Sequence, residues 1–243
     1  MREHHSERED LTAALRWAAQ LGLNEGVCNH FSLEVGPDRY LINPQGLHWG
    51  EVCAADMLLI DGQGQVVEGR HAIEPSAFFI HSWIHRLNPH AKAILHTHMP
   101  YATALTLVDG GRLQWCNQNA LRFWDRVAYD EIYGGVALDD AEGRRIAHGV
   151  AGKDVVFMAS HGVTVVGATM AWAFDDLYYL ERACMHQTLA LQAADGKPLR
   201  SIDPAVCRAT AAQIAGERQQ SDLFFASIKR LLDRDQSGWR ALD

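Results

Sequence analysis

His96 and His98, two residues apart, are the pair in this chain whose type and spacing point most directly to chemistry. Ala91, Ala93, Ile94 and Leu95 precede them in a short apolar run of the kind that fills a buried strand. Side chains alternate across a strand, so residues two apart share a face. In a strand the two imidazoles point the same way, close enough to grip one metal ion. Met99 and Pro100 then stop the strand, because proline cannot donate to a ladder and restricts the residue before it. A catalytic zinc-like ion needs about three protein ligands and one open position. With thirteen histidines in the chain such a pair can also arise without a metal, so a third ligand decides the matter.

His161 is the best third ligand on offer. It lies at a turn between two apolar strands, 154–159 and 163–166, with Gly162 beside it to allow close backbone approach. A buried histidine at a strand end needs a partner, either a hydrogen bond or a metal. His81 and His85 fall four apart on a helix and are a second candidate pair. Neither a His-Glu-x-x-His arrangement nor a nearby third ligand accompanies them, which favours a packing role.

The elements that must position these residues follow from periodicity. Leu11, Ala14, Leu15, Ala18 and Leu21 recur at helical spacing after a capping-box-like segment, Ser6 to Glu9, and Gly22 is a plausible stop. Gly26 and Asn29 mark a polar loop, and residues 29–32 cluster Asn, His and Ser between helix and strand. Such a loop can hold an anionic or hydroxyl group. Strands are expected over 31–35, 40–42, 56–61 and 66–67, joined by turns at Pro37-Asp38, 43–46 and 62–64. Phe78, Phe79, Trp83, Ile84 and Leu87 form a helical stripe opened by Glu74, Pro75 and Ser76. Beyond Tyr101 a helix begins, and 109–152 mixes loops with short elements, including a helix from Asp139. Helices over 169–192, after Asp203-Pro204, and from Ser221 to about Asp235 complete the chain.

Composition narrows the function. At 243 residues with a hydrophobic share of 48%, the chain fits a single α/β unit with a well-packed core. A net charge of −8 argues against nucleic acid or an anionic membrane as partner. Cys28, Cys53, Cys116, Cys184 and Cys207 are widely spaced and suggest neither a disulfide framework nor a cysteine zinc site. The first ten residues are too charged for a signal peptide and no apolar run reaches membrane length, so a cytoplasmic protein is expected.

Several landmarks together resemble the class II aldolase/adducin family. They are Asn29 to Ser32 after the first helix, and Leu41 to Gly46 after the second strand. Arg86 to Pro89 ahead of Ile94 to His98, and Ala159 to Gly167 ahead of a long helix, complete the match over about residues 8–195. The resemblance implies a three-layer αβα fold of the α/β class, with a central, mainly antiparallel sheet and helices on both faces. One domain, 1–243, is expected, with its core at about 8–195 and C-terminal helices at about 203–235. A homo-oligomer, most often a tetramer, is implied too. In the sugar-phosphate aldolases of this family the corresponding histidines bind zinc, and those positions here are His96, His98 and His161.

The resemblance implies a zinc-dependent carbon–carbon lyase, with manganese or cobalt as alternative metals. It would act on a small hydroxy-carbonyl or hydroxy-keto acid by retro-aldol cleavage or decarboxylation, through a metal-stabilised enediolate. Asn29, Ser32, Gln45, Gly46 and Ser76 would bind the substrate. One departure stands out. The family's acid/base Glu, in a Ser-Ser-Glu segment, falls on Ala77, with Pro75 and Ser76 in the serine positions. Loss of a serine from the phosphate pocket weakens the case for a phosphorylated substrate. Glu74, one helical turn earlier, and Tyr129 are the proposed proton-transfer residues, with Tyr133 a further candidate. Two alternatives remain: an inactive adducin-like interaction module, and a metalloenzyme of another reaction type. A metallo-β-lactamase-type site would continue His-x-His-x-Asp-His, where this chain reads Met99-Pro100-Tyr101.

Overall fold

The computed structural model describes residues 3–150 and 152–242. The first helix, α1 (His5–Gln20), buries Leu11, Ala14, Leu15 and Ala18 and ends at Gly22, whose φ of 69° only glycine adopts cheaply. The expected capping box is not made: the helix starts before Ser6, and His4 occupies the cap without a side-chain bond. Strands β1 (His30–Gly36) and β2 (Arg39–Ile42) follow as a hairpin, then β3 (Leu58–Asp61) and β4 (Val66–Glu68). Helix α2 (Pro75–Leu87) leads into β5 (Ala93–Thr97) and α3 (Pro100–Thr106). The segment least legible in sequence holds α4 (Gln118–Leu121), β6 (Val127–Asp130) and α5 (Asp140–Val150). Then come β7 (Val155–Met158), β8 (Gly162–Gly167), the long α6 (Met170–Ala193), α7 (Pro204–Ala215) and α8 (Gln219–Asp235).

Among the described residues the eight strands form one sheet in the order β4-β3-β2-β1-β5-β8-β7-β6. Every neighbouring pair is antiparallel except β6 and β7, which the crossover through α5 makes parallel. Side-chain alternation divides the core in two. Phe31, Leu33, Ala93, Leu95, Val163 and Val165 face α1, α3, α6 and α8. Ile94, Val156, Met158 and Val166 face α2 and α5 with Ile80, Ile84, Ile146 and Val150. The result is the expected helix–sheet–helix sandwich. Among the described residues no helix is long and apolar enough to cross a membrane.

Helix α2 corrects one reading. Its buried face is Ala77, Ile80, His81, Ile84 and His85, whereas Leu87 is exposed. Two histidines therefore sit where an apolar stripe was expected, between the helix and the sheet. Beneath the other face, Asp176 on α6 is buried and holds Arg126 at 2.6 Å and Arg218 at 2.8 Å. Burial pushes the Asp176 carboxyl up, but the two guanidinium groups outweigh it and hold it below the ordinary value.

This ion network ties α6 to the segment before β6 and to the start of α8. Removing the shared carboxylate leaves the partly buried Arg218 without this partner and Arg126 with Asp154 alone, which costs up to roughly 3–5 kcal/mol. Asp176→Ala is expected to lower the urea midpoint accordingly. A midpoint within experimental error of the parent would contradict that role.

Candidate metal centre

Strand β5 is the centre of the sheet, and its register sets the site. His96 lies opposite His30 of β1 on one side and Thr164 of β8 on the other. All three share the sheet face that carries Ile94, on the α2 side. The His96 Nδ1–H donates to the Val163 carbonyl at 3.1 Å, which leaves Nε2 as the free lone pair. His98 follows one residue beyond the strand. Its Nδ1 is hydrogen-bonded to the Glu25 carboxylate, and its Nε2 is buried with no protein partner.

The β7–β8 turn brings the third imidazole. Ser160 adopts a left-handed φ of 56°, and the His161 amide closes the turn onto the Met158 carbonyl at 3.1 Å. Gly162 lets this turn lie directly on the end of β5. A Cβ there would meet the Thr97 carbonyl oxygen at 2.6 Å and the His98 ring at 2.7 Å. The His96, His98 and His161 rings are each about 5 Å from one another, centroid separations being 5.2, 4.8 and 4.8 Å. One ligand nitrogen from each falls within 4.8 Å of the others.

The donor set fits a divalent ion of the zinc type. The orphaned, buried His98 Nε2 is the kind of atom that a bound cation satisfies. Glu25 on His98 and the Val163 carbonyl on His96 are the outer partners that fix tautomer and ring orientation in such sites. Burial holds His161 down at about 4, with the nearby His98 adding to it, and lowers His96 well below 6.5. Both are neutral, and so ready to ligate, at neutral pH.

The three histidines open onto a cavity of about 770 Å³. Asn29, Gln45, Gly46, Glu74, Ser76 and Ala77 are among the residues that line it, as are Tyr133 and His30. Asn29 is held with a φ of 73°, its Oδ1 accepting from the Glu25 amide at 3.1 Å and its Nδ2 buried without a protein partner. Glu74 caps α2: one carboxylate oxygen accepts from the Ala77 amide at 2.8 Å and from the Ser76 hydroxyl at 2.5 Å.

The family described as Class II Aldolase and Adducin N-terminal domain matches residues 9–188. The chain is 30% identical to an aldolase II superfamily protein from Pseudomonas syringae whose crystal structure superposes with a TM-score of 0.90, covering 99% of this chain and 97% of that one. An L-fuculose 1-phosphate aldolase from Glaciozyma antarctica is 26% identical with a TM-score of 0.84, over 96% and 92% of the two chains. A decarboxylase, NovR, from Streptomyces niveus is 32% identical over 209 residues, 83% of this chain and 74% of its own length. The chain belongs to the class II aldolase/adducin family.

Within this class II aldolase fold the expected site residues separate into two groups. His96, His98, His161, Asn29, Gln45, Gly46, Glu74 and Ser76 all meet at the cavity. Ser32 and Tyr129 do not. Ser32 is fully buried under α2, its hydroxyl shared between His81 Nδ1 at 2.5 Å and His85 Nε2 at 2.8 Å. Tyr129 stacks on Phe157, takes the Leu113 amide at 3.1 Å on its hydroxyl, and lines a separate depression with Thr106 and Ser160. The alternation of β6 turns it away from the histidines. Tyr133, one loop further on, is the tyrosine at the cavity, its ring 6.2 Å from His161. Glu25 and His30 were not singled out from sequence. The spacing of His30 and Ser32, two apart opposite His96, was the available signal.

Burial of so many imidazoles has a pH consequence. Burial lowers His30 to about 4 and His85 to about 3, and holds His81 and His96 well below 6.5. Below about pH 6.5 the unfolded chain protonates these groups while the folded one does not. The unfolded state then binds more protons, so stability falls as pH drops from about 6.5 toward 4 and is fully present above that range. The melting temperature is expected to decline across this window, and less steeply in His85→Phe. Equal slopes for parent and variant would contradict the assignment.

Proposed function

We propose that this chain is a divalent-metal-dependent carbon–carbon lyase acting on a small hydroxy-carbonyl or hydroxy-keto acid, by retro-aldol cleavage or decarboxylation. The observation that carries the reading is the convergence of His96, His98 and His161, two of them held neutral by burial, at the wall of a cavity fit for a small molecule. Zinc is the ion this reading favours, with manganese or cobalt as alternatives. His96, His98 and His161 would hold the ion, which would supply Lewis-acid charge to a bound hydroxy-carbonyl group. Similarity to a decarboxylase and to a sugar-phosphate aldolase supports both forms of the reaction without choosing between them.

The chain's own groups then bind and orient. The unpartnered Asn29 Nδ2 offers a buried donor to a substrate oxygen, where leaving it unmet is costly. Gln45 and the backbone at Gly46, with φ of 84°, shape the wall that receives the substrate's far end. Glu74 and Tyr133 are the proton-transfer candidates at the cavity, since Ala77 supplies no acid/base group. The reading includes a homo-oligomer, a tetramer by the family's habit, in the cytoplasm. Exposed Leu107, Val108, Ile132 and Val136 give it apolar contact surface.

Proton exchange tests the reading without knowledge of the full substrate. Hydroxypyruvate and dihydroxyacetone, incubated with metal-loaded protein in D2O, are expected to exchange hydrogen for deuterium at the hydroxyl-bearing carbon. Chelation of the metal is expected to slow this at least a hundredfold, in line with loss of a main electrostatic stabiliser. No exchange in either compound, with metal bound, would favour the interaction-module reading.

A further inference from the structure

Behind the metal ligands lies an unbroken chain of buried hydrogen bonds that the proposed chemistry has not used. The Ala91 carbonyl bonds His85 Nδ1 at 2.7 Å, and His85 Nε2 bonds the Ser32 hydroxyl at 2.8 Å. The hydroxyl bonds His81 Nδ1 at 2.5 Å, and His81 Nε2 bonds His30 Nδ1 at 2.7 Å. All four residues are at least 95% buried, and the ring of Tyr40 covers His85 at 4.6 Å. The far end, His30, stacks on the metal ligand His96 at 4.8 Å and lines the cavity.

The polarity of this chain is fixed at one end. A carbonyl oxygen only accepts, so His85 Nδ1 must carry hydrogen. In its neutral form each imidazole carries one hydrogen, so His85 Nε2 is a lone pair and the Ser32 hydroxyl donates to it. The Ser32 oxygen then accepts from His81 Nδ1–H, and His81 Nε2 accepts from His30 Nδ1–H. His30 Nε2 is left as a lone pair. The opposite polarity would set two lone pairs against each other at the 2.7 Å contact with Ala91. The nearest charged group to His30 Nε2 is the Glu74 carboxylate at 3.9 Å, beyond hydrogen-bond reach and itself an acceptor already engaged by Ser76 and Ala77. The chain ends at a carbonyl and leads to no second proton acceptor, so it polarises rather than conducts.

We propose that this relay fixes His30 as a hydrogen-bond acceptor on the cavity wall, where its Nε2 receives the hydrogen of a substrate hydroxyl beside the metal-binding oxygens. The substrate-recognition half rests on the lyase reading above; the tautomer half stands on the hydrogen bonds alone. His30 thereby selects a hydroxylated, metal-chelating compound over its deoxy counterpart, since a buried acceptor left unpaired penalises the latter. Ser32, His81 and His85 are positioning residues: each acts through the next and none reaches the cavity itself.

Neutron diffraction from deuterium-exchanged crystals at neutral pH reads the first half directly. Deuterium is expected on Nδ1 of His30, His81 and His85, with none on His30 Nε2. Deuterium on Nε2 of His30 would overturn the proposal. Calorimetric titration of the zinc-loaded protein with glycolohydroxamate and acetohydroxamate reads the second half, because both chelate alike and only the first carries the hydroxyl. The parent is expected to prefer glycolohydroxamate roughly tenfold, the size of one well-placed hydrogen bond. His30→Phe is expected to erase the preference while keeping its zinc and its acetohydroxamate binding. A preference absent from the parent or unchanged in the variant would overturn the assignment to His30. Neither hydroxamate binding, with no zinc retained and the tautomers as stated, would instead overturn the lyase reading and the substrate role with it.

Discussion

The site depends on how closely the β7–β8 turn lies on the end of β5. Only a residue without a Cβ fits at Gly162, because the Thr97 carbonyl and the His98 ring occupy the space a side chain would need. That contact carries His161 to within ligand distance of His96 and His98. It is made possible by antiparallel pairing of β5 with β8, which aligns Thr97 with Val163 and His96 with Thr164. The metal ligands are thus a property of sheet register. A slip of one residue would turn His96 into the opposite core, among the side chains that face α1 and α6.

The same register explains why the site is backed by imidazoles. His30 and Ser32 occupy the β1 positions opposite His96 and Ile94, so they share the face on which α2 packs. His81 and His85, one helical turn apart, look down onto them. Each polar atom there except His30 Nε2 is matched by another, and that permits burial that would otherwise cost several kcal/mol. The arrangement is therefore both a stability element and a device that presents one lone pair to the cavity.

Much of this was legible in the sequence. The short apolar run through Ile94 and Leu95 gave the strand, strand alternation gave the shared direction of His96 and His98, and the glycine after His161 signalled close approach. Helix α2 was read in place and Ile84 rightly as core, with Phe78 and Trp83 at the margin of the buried face, but the face was set too far toward Phe79 and Leu87. Scoring Phe79 and Leu87 as core set the histidines aside, because residue type alone does not reveal that a buried imidazole has a partner waiting on the sheet. Ser32 was assigned to the substrate for the same reason: its partners come from a segment some fifty positions away. Tyr129 was chosen from a stretch with no clear period, where the parallel pairing of β6 with β7 sets the direction of each side chain. Glu25 lies in a loop, and its contact with His98 is fixed by the fold alone.

Metal content of the purified protein by elemental analysis, beside that of a His161→Ala variant, tests the central claim most directly. About one zinc, manganese or cobalt ion per chain is predicted for the parent, as three imidazole ligands imply. The variant, with the same fold by circular dichroism, is predicted to lose it. A parent that holds no metal as purified and binds none on addition of these ions would contradict the account.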